Sequence, residues 1–194
     1  MTRLNHEARI HLLARAARMP VGAAVSAPSA RSTSILSLAA ASYGSRPTAD
    51  ATVPTGFDPI AVALFEAIVE GAYLVANADG VFDARERHAF ERVVVGACGG
   101  AVPPGHIGAL LGELAARLAK DGLDARLRFV ARTATKKEHA REVLRVAALL
   151  AHANSDVSSV ERNVLAKLAA YSGFSGADVD EAIAEGHRAL AGPS

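Results

Sequence analysis

The stretch Leu-Val-Ala-Asn-Ala-Asp-Gly-Val-Phe-Asp-Ala-Arg-Glu-Arg at 74–87 recurs as Leu-Leu-Ala-His-Ala-Asn-Ser-Asp-Val-Ser-Ser-Val-Glu-Arg at 149–162, offset by 75 residues without a gap. Each copy leaves an apolar helix, passes a small polar turn and enters a new helix. Asp83 with Glu86, and Ser158 with Glu161, have the spacing of capping boxes. In such a box the N-cap oxygen accepts from the amide three residues on, and the acid there reaches back to the N-cap amide. Asp79-Gly80 reads as a turn in which glycine takes a positive φ without a Cβ penalty. The doubling predicts an all-α domain built from two related helical units, with a pseudo-twofold internal repeat.

Start and stop signals around this stretch predict seven helices. Asp58-Pro59 is an N-cap followed by proline at the first helical position. The helix it opens runs to about Asn77, with Ile60, Leu64, Ile68, Gly71 and Val75 on its apolar face. A second, from about Asp83 to Ala97, buries Phe90, Val93 and Val94 and stops at Gly99-Gly100. A third spans about 105–120 and a fourth about 123–133, with Asp121-Gly122 between them. Thr135 and Glu138 read as a capping box for a fifth, central helix. Ser158 opens the sixth, and Ser175-Gly-Ala-Asp178 a seventh that ends near Leu190. Short links between them suit a compact bundle over 57–194.

Residues 1–57 differ in kind. They hold six Arg against Glu7 and Asp50, a net charge of about +4, whereas the remainder carries 15 Lys and Arg against 18 acids. Residues 1–56 therefore read as a basic, Ala/Ser/Pro-rich, largely disordered tail and linker. Within it, 3–18 has the pattern of a short amphipathic helix suited to a membrane surface, and Ile35–Ala41 that of a short helix. The overall charge of +1 argues against a nucleic-acid binder driven by bulk charge. No uninterrupted apolar run approaches the ~18 residues of a membrane span, and no long apolar core follows the N-terminal arginines as in a secretory signal. A cytoplasmic protein, at most peripheral at the inner membrane, is expected.

The turn at 77–86 allows two readings. In one, Asp79, Gly80, Asp83 and Glu86 make the turn and cap the next helix. In the other, the acids hold a cation. Written as an EF-hand loop, Asn77, Asp79, Gly80, Asp83 and Glu86 fall at positions three, five, six, nine and twelve, but position one is Val75. A looser oxygen site would draw Asp79, Asp83 and Glu86 together, helped by Asn77, Glu66 or Glu70. Hard divalent cations, Ca²⁺ or Mg²⁺, suit that donor set. The second copy, with Asn154-Ser155-Asp156 before Ser158 and Glu161, has fewer carboxylates and is the poorer candidate.

Other constellations are sparse. His88, His106, His139, His152 and His187 form no helical two-His pair, so the spacing gives no zinc motif. Cys98, the single cysteine, reads as a small buried thiol at a helix end. No nucleophile elbow or phosphate loop is present, and a non-enzymatic protein is expected. The 75-residue offset maps Glu66, Glu70 and Asn77 onto Arg141, Arg145 and His152. These stripes of opposite charge pair if the halves face each other, and otherwise form separate patches.

The doubled turn, carried by Ala78-Asp79-Gly80, Asp83 and Glu86-Arg87 and by Ala153-Asn154, Ser158 and Glu161-Arg162, resembles the TerB tellurite-resistance family. The same fold is similar to the N-terminal region of the membrane-anchored co-chaperone DjlA. The resemblance covers about 57–190 and implies a compact helical domain acting in bacterial stress or metal-oxyanion response. It also implies acidic residues, here Asp79, Asp83 and Glu86, that bind a metal or engage stress-response or membrane-associated partners. No His-Pro-Asp of a J-domain is present, so full co-chaperone function does not carry over.

Overall fold

A computed structural model of the chain describes residues 5–20, 34–45 and 58–191. Nine α-helices and no strands occur among them. They are α1 (His6–Arg18), α2 (Ile35–Gly44), α3 (Pro59–Ala76), α4 (Ala84–Ala97), α5 (Pro104–Asp121), α6 (Leu123–Thr133), α7 (Lys137–Ala151), α8 (Ser159–Tyr171) and α9 (Gly176–Ala191). Helices α3 to α9 are the seven that the sequence predicts. Their starts follow local chemistry. Asp58 accepts from the amides of Ile60 and Ala61. Two of the three predicted boxes form, Asp83 with Glu86 and Ser158 with Glu161. The third box does not: α7 begins after Lys136, with no side-chain cap from Thr135.

Helices α3 and α7 are the axis of the bundle and pack on each other over most of their length. They approach closely at Gly71, where a Cβ would lie 2.7 Å from Cγ1 of Val143. Helix α3, 18 residues with a mean hydropathy of 1.7, is long and apolar enough to cross a membrane by length and composition alone. Here it is the central helix of the core, and its Glu70 is buried against Arg126 of α6.

The two additional helices fall where the stretch read as tail and linker shows its two short helical patterns, 3–18 and Ile35–Ala41, and both are docked on the bundle; residues 1–4, 21–33 and 46–56 lie outside the described residues. Helix α1 inserts Ile10, Leu13, Ala14 and Ala17 into the common core, against α4, α7 and α9. The apolar face expected to meet a membrane is thus covered by the protein itself. Helix α2 lies on α3, with the Tyr43 and Phe65 rings 4.4 Å apart. Composition misleads here because alanine and serine read as linker, yet small residues let helices approach closely: a Cβ on Gly96 of α4 would sit 2.8 Å from Cβ of Ala14.

Two charges buried in α7 fix both helices in place. The Glu142 carboxylate takes both Nε and Nη2 of Arg145, at 2.8 and 3.1 Å. The same guanidinium donates to the carbonyls of Ala16, Ala17 and Met19 at the end of α1, and to Glu185 of α9. Glu142 in turn accepts from the amide of Leu36 in the first turn of α2. A cation at a helix C-terminus and an anion at an N-terminus both suit the helix dipole. The opposite stripes of the two halves do not pair as Glu70 with Arg145. Glu70 holds Arg126 at 2.6 and 2.8 Å, while Arg145 belongs to Glu142 and Glu185.

Leu13 is fully buried. Leu13→Ala should therefore lower the unfolding free energy by about 2–5 kcal/mol, the range for a buried leucine truncated to alanine. A urea titration of the full chain measures it. An unchanged midpoint would make α1 a detached tail.

Candidate functional site

The two copies of the repeated turn do not form two sites; they face one cleft. A depression of about 140 Å³ is lined by Asp79 and Glu86 from the first copy and by Asn154, Ser155, Ser158 and Glu161 from the second. Phe82 and Phe90 contribute its apolar wall. They are set by an edge-to-face ladder in which Phe82 meets Tyr73 at 5.3 Å and Phe90 at 5.8 Å between centroids. Gly80, at φ 82°, turns the chain between helix and cap as its lack of a Cβ allows.

Local hydrogen bonds orient the acids. Asp79 accepts from the amide of Val81 at 3.0 Å. Glu86 uses Oε2 to accept from the Asp83 amide, and Glu161 uses Oε2 to accept from the Ser158 amide at 2.8 Å. Burial pushes the Glu161 carboxyl above its ordinary value, and the negative charges of Glu86 and Asp79 push it further the same way, against the lowering effect of its bonds to Ser158. The Oδ1 of Asn154 is buried without a hydrogen-bond partner among the described residues. A buried carboxylate beside two like charges and an unsatisfied carbonyl oxygen makes a cavity that favours positive charge. All its donors are oxygens, which fits a hard divalent cation. Organic ligands generally occupy roughly 300–1,000 Å³, so the volume favours an ion with part of its water shell.

Of the residues that the sequence nominates, Asp79 and Glu86 line the cleft. Asp83 does not: it is exposed, and its Oδ1 accepts from the Glu86 amide at 2.8 Å as a helix cap. Asn77 ends α3 as its C-cap. Glu66 and Glu70 lie along α3 away from the cleft, engaged with Arg117 and Arg126. The EF-hand register fails physically, because Val75 at its first position is fully buried. Glu161 and Asn154, which the sequence reading placed in the poorer second copy as a separate candidate, line the same cleft. Their equivalence to Glu86 and Asp79 under the 75-residue offset was the available signal. The structure also gathers His152, Asp156 and His187, which the sequence separates.

Cys98 is buried, and burial alone pushes its thiol up to about 12. A thiol held so far above neutrality is no nucleophile.

An all-helical bundle with an oxygen-lined cleft between two repeated turns is the class of protein defined so far. The family profile for tellurite resistance protein TerB matches residues 65–184, which is more than half of the chain. The chain belongs to the TerB family. Comparison with curated proteins and with solved structures finds no match.

Two outcomes follow from this geometry. Asp83→Ala should cost about 0.5–2 kcal/mol by loss of the cap, while Asp83→Ser, the residue of the second copy, stays near neutral; chemical denaturation of both variants measures this. Cys98 should resist a thiol reagent in mildly alkaline buffer and react promptly once denaturant exposes it, as followed by reagent absorbance.

Proposed function

We propose that this TerB-family protein is a non-enzymatic cation-responsive interaction module of bacterial stress response. A divalent cation, Ca²⁺ or Mg²⁺, would sit between the two turns, held by Asp79, Glu86 and Glu161 with the Asn154 carbonyl oxygen beside them. The observation that carries this reading is that three carboxylates line one small cleft, with Glu161 held partly out of water among like charges; they stand too far apart to close on a bare ion together, so the ion keeps part of its water shell. The chain is then a pseudo-twofold molecule that binds asymmetrically: the first copy contributes Asp79 and Glu86, the second Glu161 and Asn154. Its partners would be other stress-response or membrane-associated proteins in the cytoplasm or at the inner membrane. Tellurite and other metal oxyanions are the context that the family description suggests.

The Glu161→Gln variant separates this reading from pure helix capping, because glutamine keeps an oxygen for the Ser158 amide but removes the charge. Without cation, a carboxyl whose folded value lies above its unfolded one makes the native state bind more protons between the two values. Stability therefore falls as pH rises from about the ordinary 4.5 through the raised value. Glu161→Gln should remove that fall and raise the melting temperature at neutral pH. Calorimetric titration of the full chain with Ca²⁺ and Mg²⁺ should give saturable binding, weakened roughly tenfold or more by Glu161→Gln and by Asp79→Asn. Silence with both ions, or binding that both variants leave intact, would return these residues to turn-making.

A further inference from the structure

Where the two copies of the turn diverge, the second gains ligands that the first lacks. His152 stands where the first copy has Asn77, and Asp156 where it has Val81. His152 is the C-cap of α7 and is fully buried. Its ring lies against Gly186 of α9, where a Cβ would fall 2.2 Å from Cδ2 and 2.6 Å from Nε2. Only glycine at that position admits the ring.

The ring's tautomer follows from its contacts. Nε2 is 3.2 Å from the carbonyl oxygen of Ile183, which only accepts. In the neutral ring Nε2 therefore carries the proton and Nδ1 the lone pair. That Nδ1 is buried and has no hydrogen-bond partner among the described residues. An imidazole that gives one N–H to a backbone carbonyl and presents its other nitrogen bare is arranged as metal-ligating histidines are.

Two more donors lie near the ring. His187 follows Gly186 on α9, its ring centroid 4.6 Å from that of His152. Asp156 comes from the turn after α7. One donor atom from each of the three lies within 4.8 Å of the others, the one such grouping of metal-type side chains among the described residues. Around tetrahedral zinc, with bonds of about 2.0–2.2 Å, donor atoms sit about 3.3–3.6 Å apart. His187 and Asp156 are exposed and free to move in by that margin, while His152 is fixed by packing. The opposing charge is Arg9 of α1, whose Nη1 is directed to the carbonyl oxygen of His152 at 2.9 Å; Asp156 offsets it.

We infer that His152, Asp156 and His187 form a second metal site, for a divalent transition ion of the zinc type. The donors are two imidazole nitrogens and a carboxylate, with a coordination position left open for water or a further ligand. Imidazoles select borderline ions such as Zn²⁺, whereas the oxygen-lined cleft suits hard ones, so the two sites differ in chemistry as well as place. The bound ion joins the end of α7 to α9.

Metal-free full-length protein titrated with Co²⁺ tests this. One equivalent should give the visible d–d absorption of low-coordinate cobalt with nitrogen ligands, and Zn²⁺ should displace it and raise the melting temperature. His187→Ala and Asp156→Asn change exposed side chains and leave the fold intact. Each should weaken Zn²⁺ binding at least about tenfold. Gly186→Ala, which keeps all three ligands but displaces the buried ring, should weaken it as well. Glu161→Gln should leave the cobalt spectrum unchanged. An absent spectrum, or one that survives both His187→Ala and Asp156→Asn, overturns the assignment. Loss in Glu161→Gln but not in His187→Ala would put the ion in the acidic cleft and overturn it too.

Discussion

The Glu142–Arg145 pair is the constraint from which the arrangement of the bundle follows. Both side chains are buried in the central helix α7, where an unpaired charge is strongly destabilising. Their mutual bond leaves further hydrogen-bonding capacity, which is met from outside α7: the last carbonyls of α1, the first-turn amide of Leu36 in α2, and Glu185 of α9. Each of those partners comes from a chain terminus or from an element that reads as optional in the sequence. Once Arg145 is inside, α1 and α2 are required parts of the fold.

That dependence explains what the sequence reveals and what it hides. Helices α3 to α9 are legible because their punctuation is local: Asp58-Pro59, the two capping boxes, Gly80 and Gly122 each act within a few residues. Helices α1 and α2 show as short helical patterns, but their docking into the core is hidden because its reasons are distant. Leu36 finds its acceptor 106 residues away, and Arg9 reaches the carbonyl of residue 152. Nothing in an Ala- and Ser-rich stretch records such partners. The Thr135 box shows the opposite failure, a local signal without a structural consequence, since α7 starts without it.

The site was half legible for a related reason. A repeated motif identifies equivalent positions but not whether they face each other. Read along the chain, Asp79, Asp83 and Glu86 look like a single acidic set, whereas folding separates Asp83 from the other two and supplies Glu161 across the cleft. Helix geometry also removes Glu66 and Glu70, which lie too far back on α3 and are engaged with arginines. Divergence between the copies is as informative as their likeness: the second turn has given up Asp79 and Gly80 for Asn154 and Ser155, and carries His152 and Asp156 in place of Asn77 and Val81.

Glu86 and Glu161 each serve two masters. One oxygen of each closes the first turn of its own helix, while the same carboxylate forms part of the cleft wall. Whatever enters the cleft and draws on those carboxylates competes with the amides of Asp83 and Ser158. Two helix ends, 75 residues apart in the chain, are thereby joined to one occupancy. Under the proposed cation reading the cleft would work as a clutch: its filling would be transmitted outward as the fraying or tightening of α4 and α8, and a partner resting on either helix start would sense the ion without touching it.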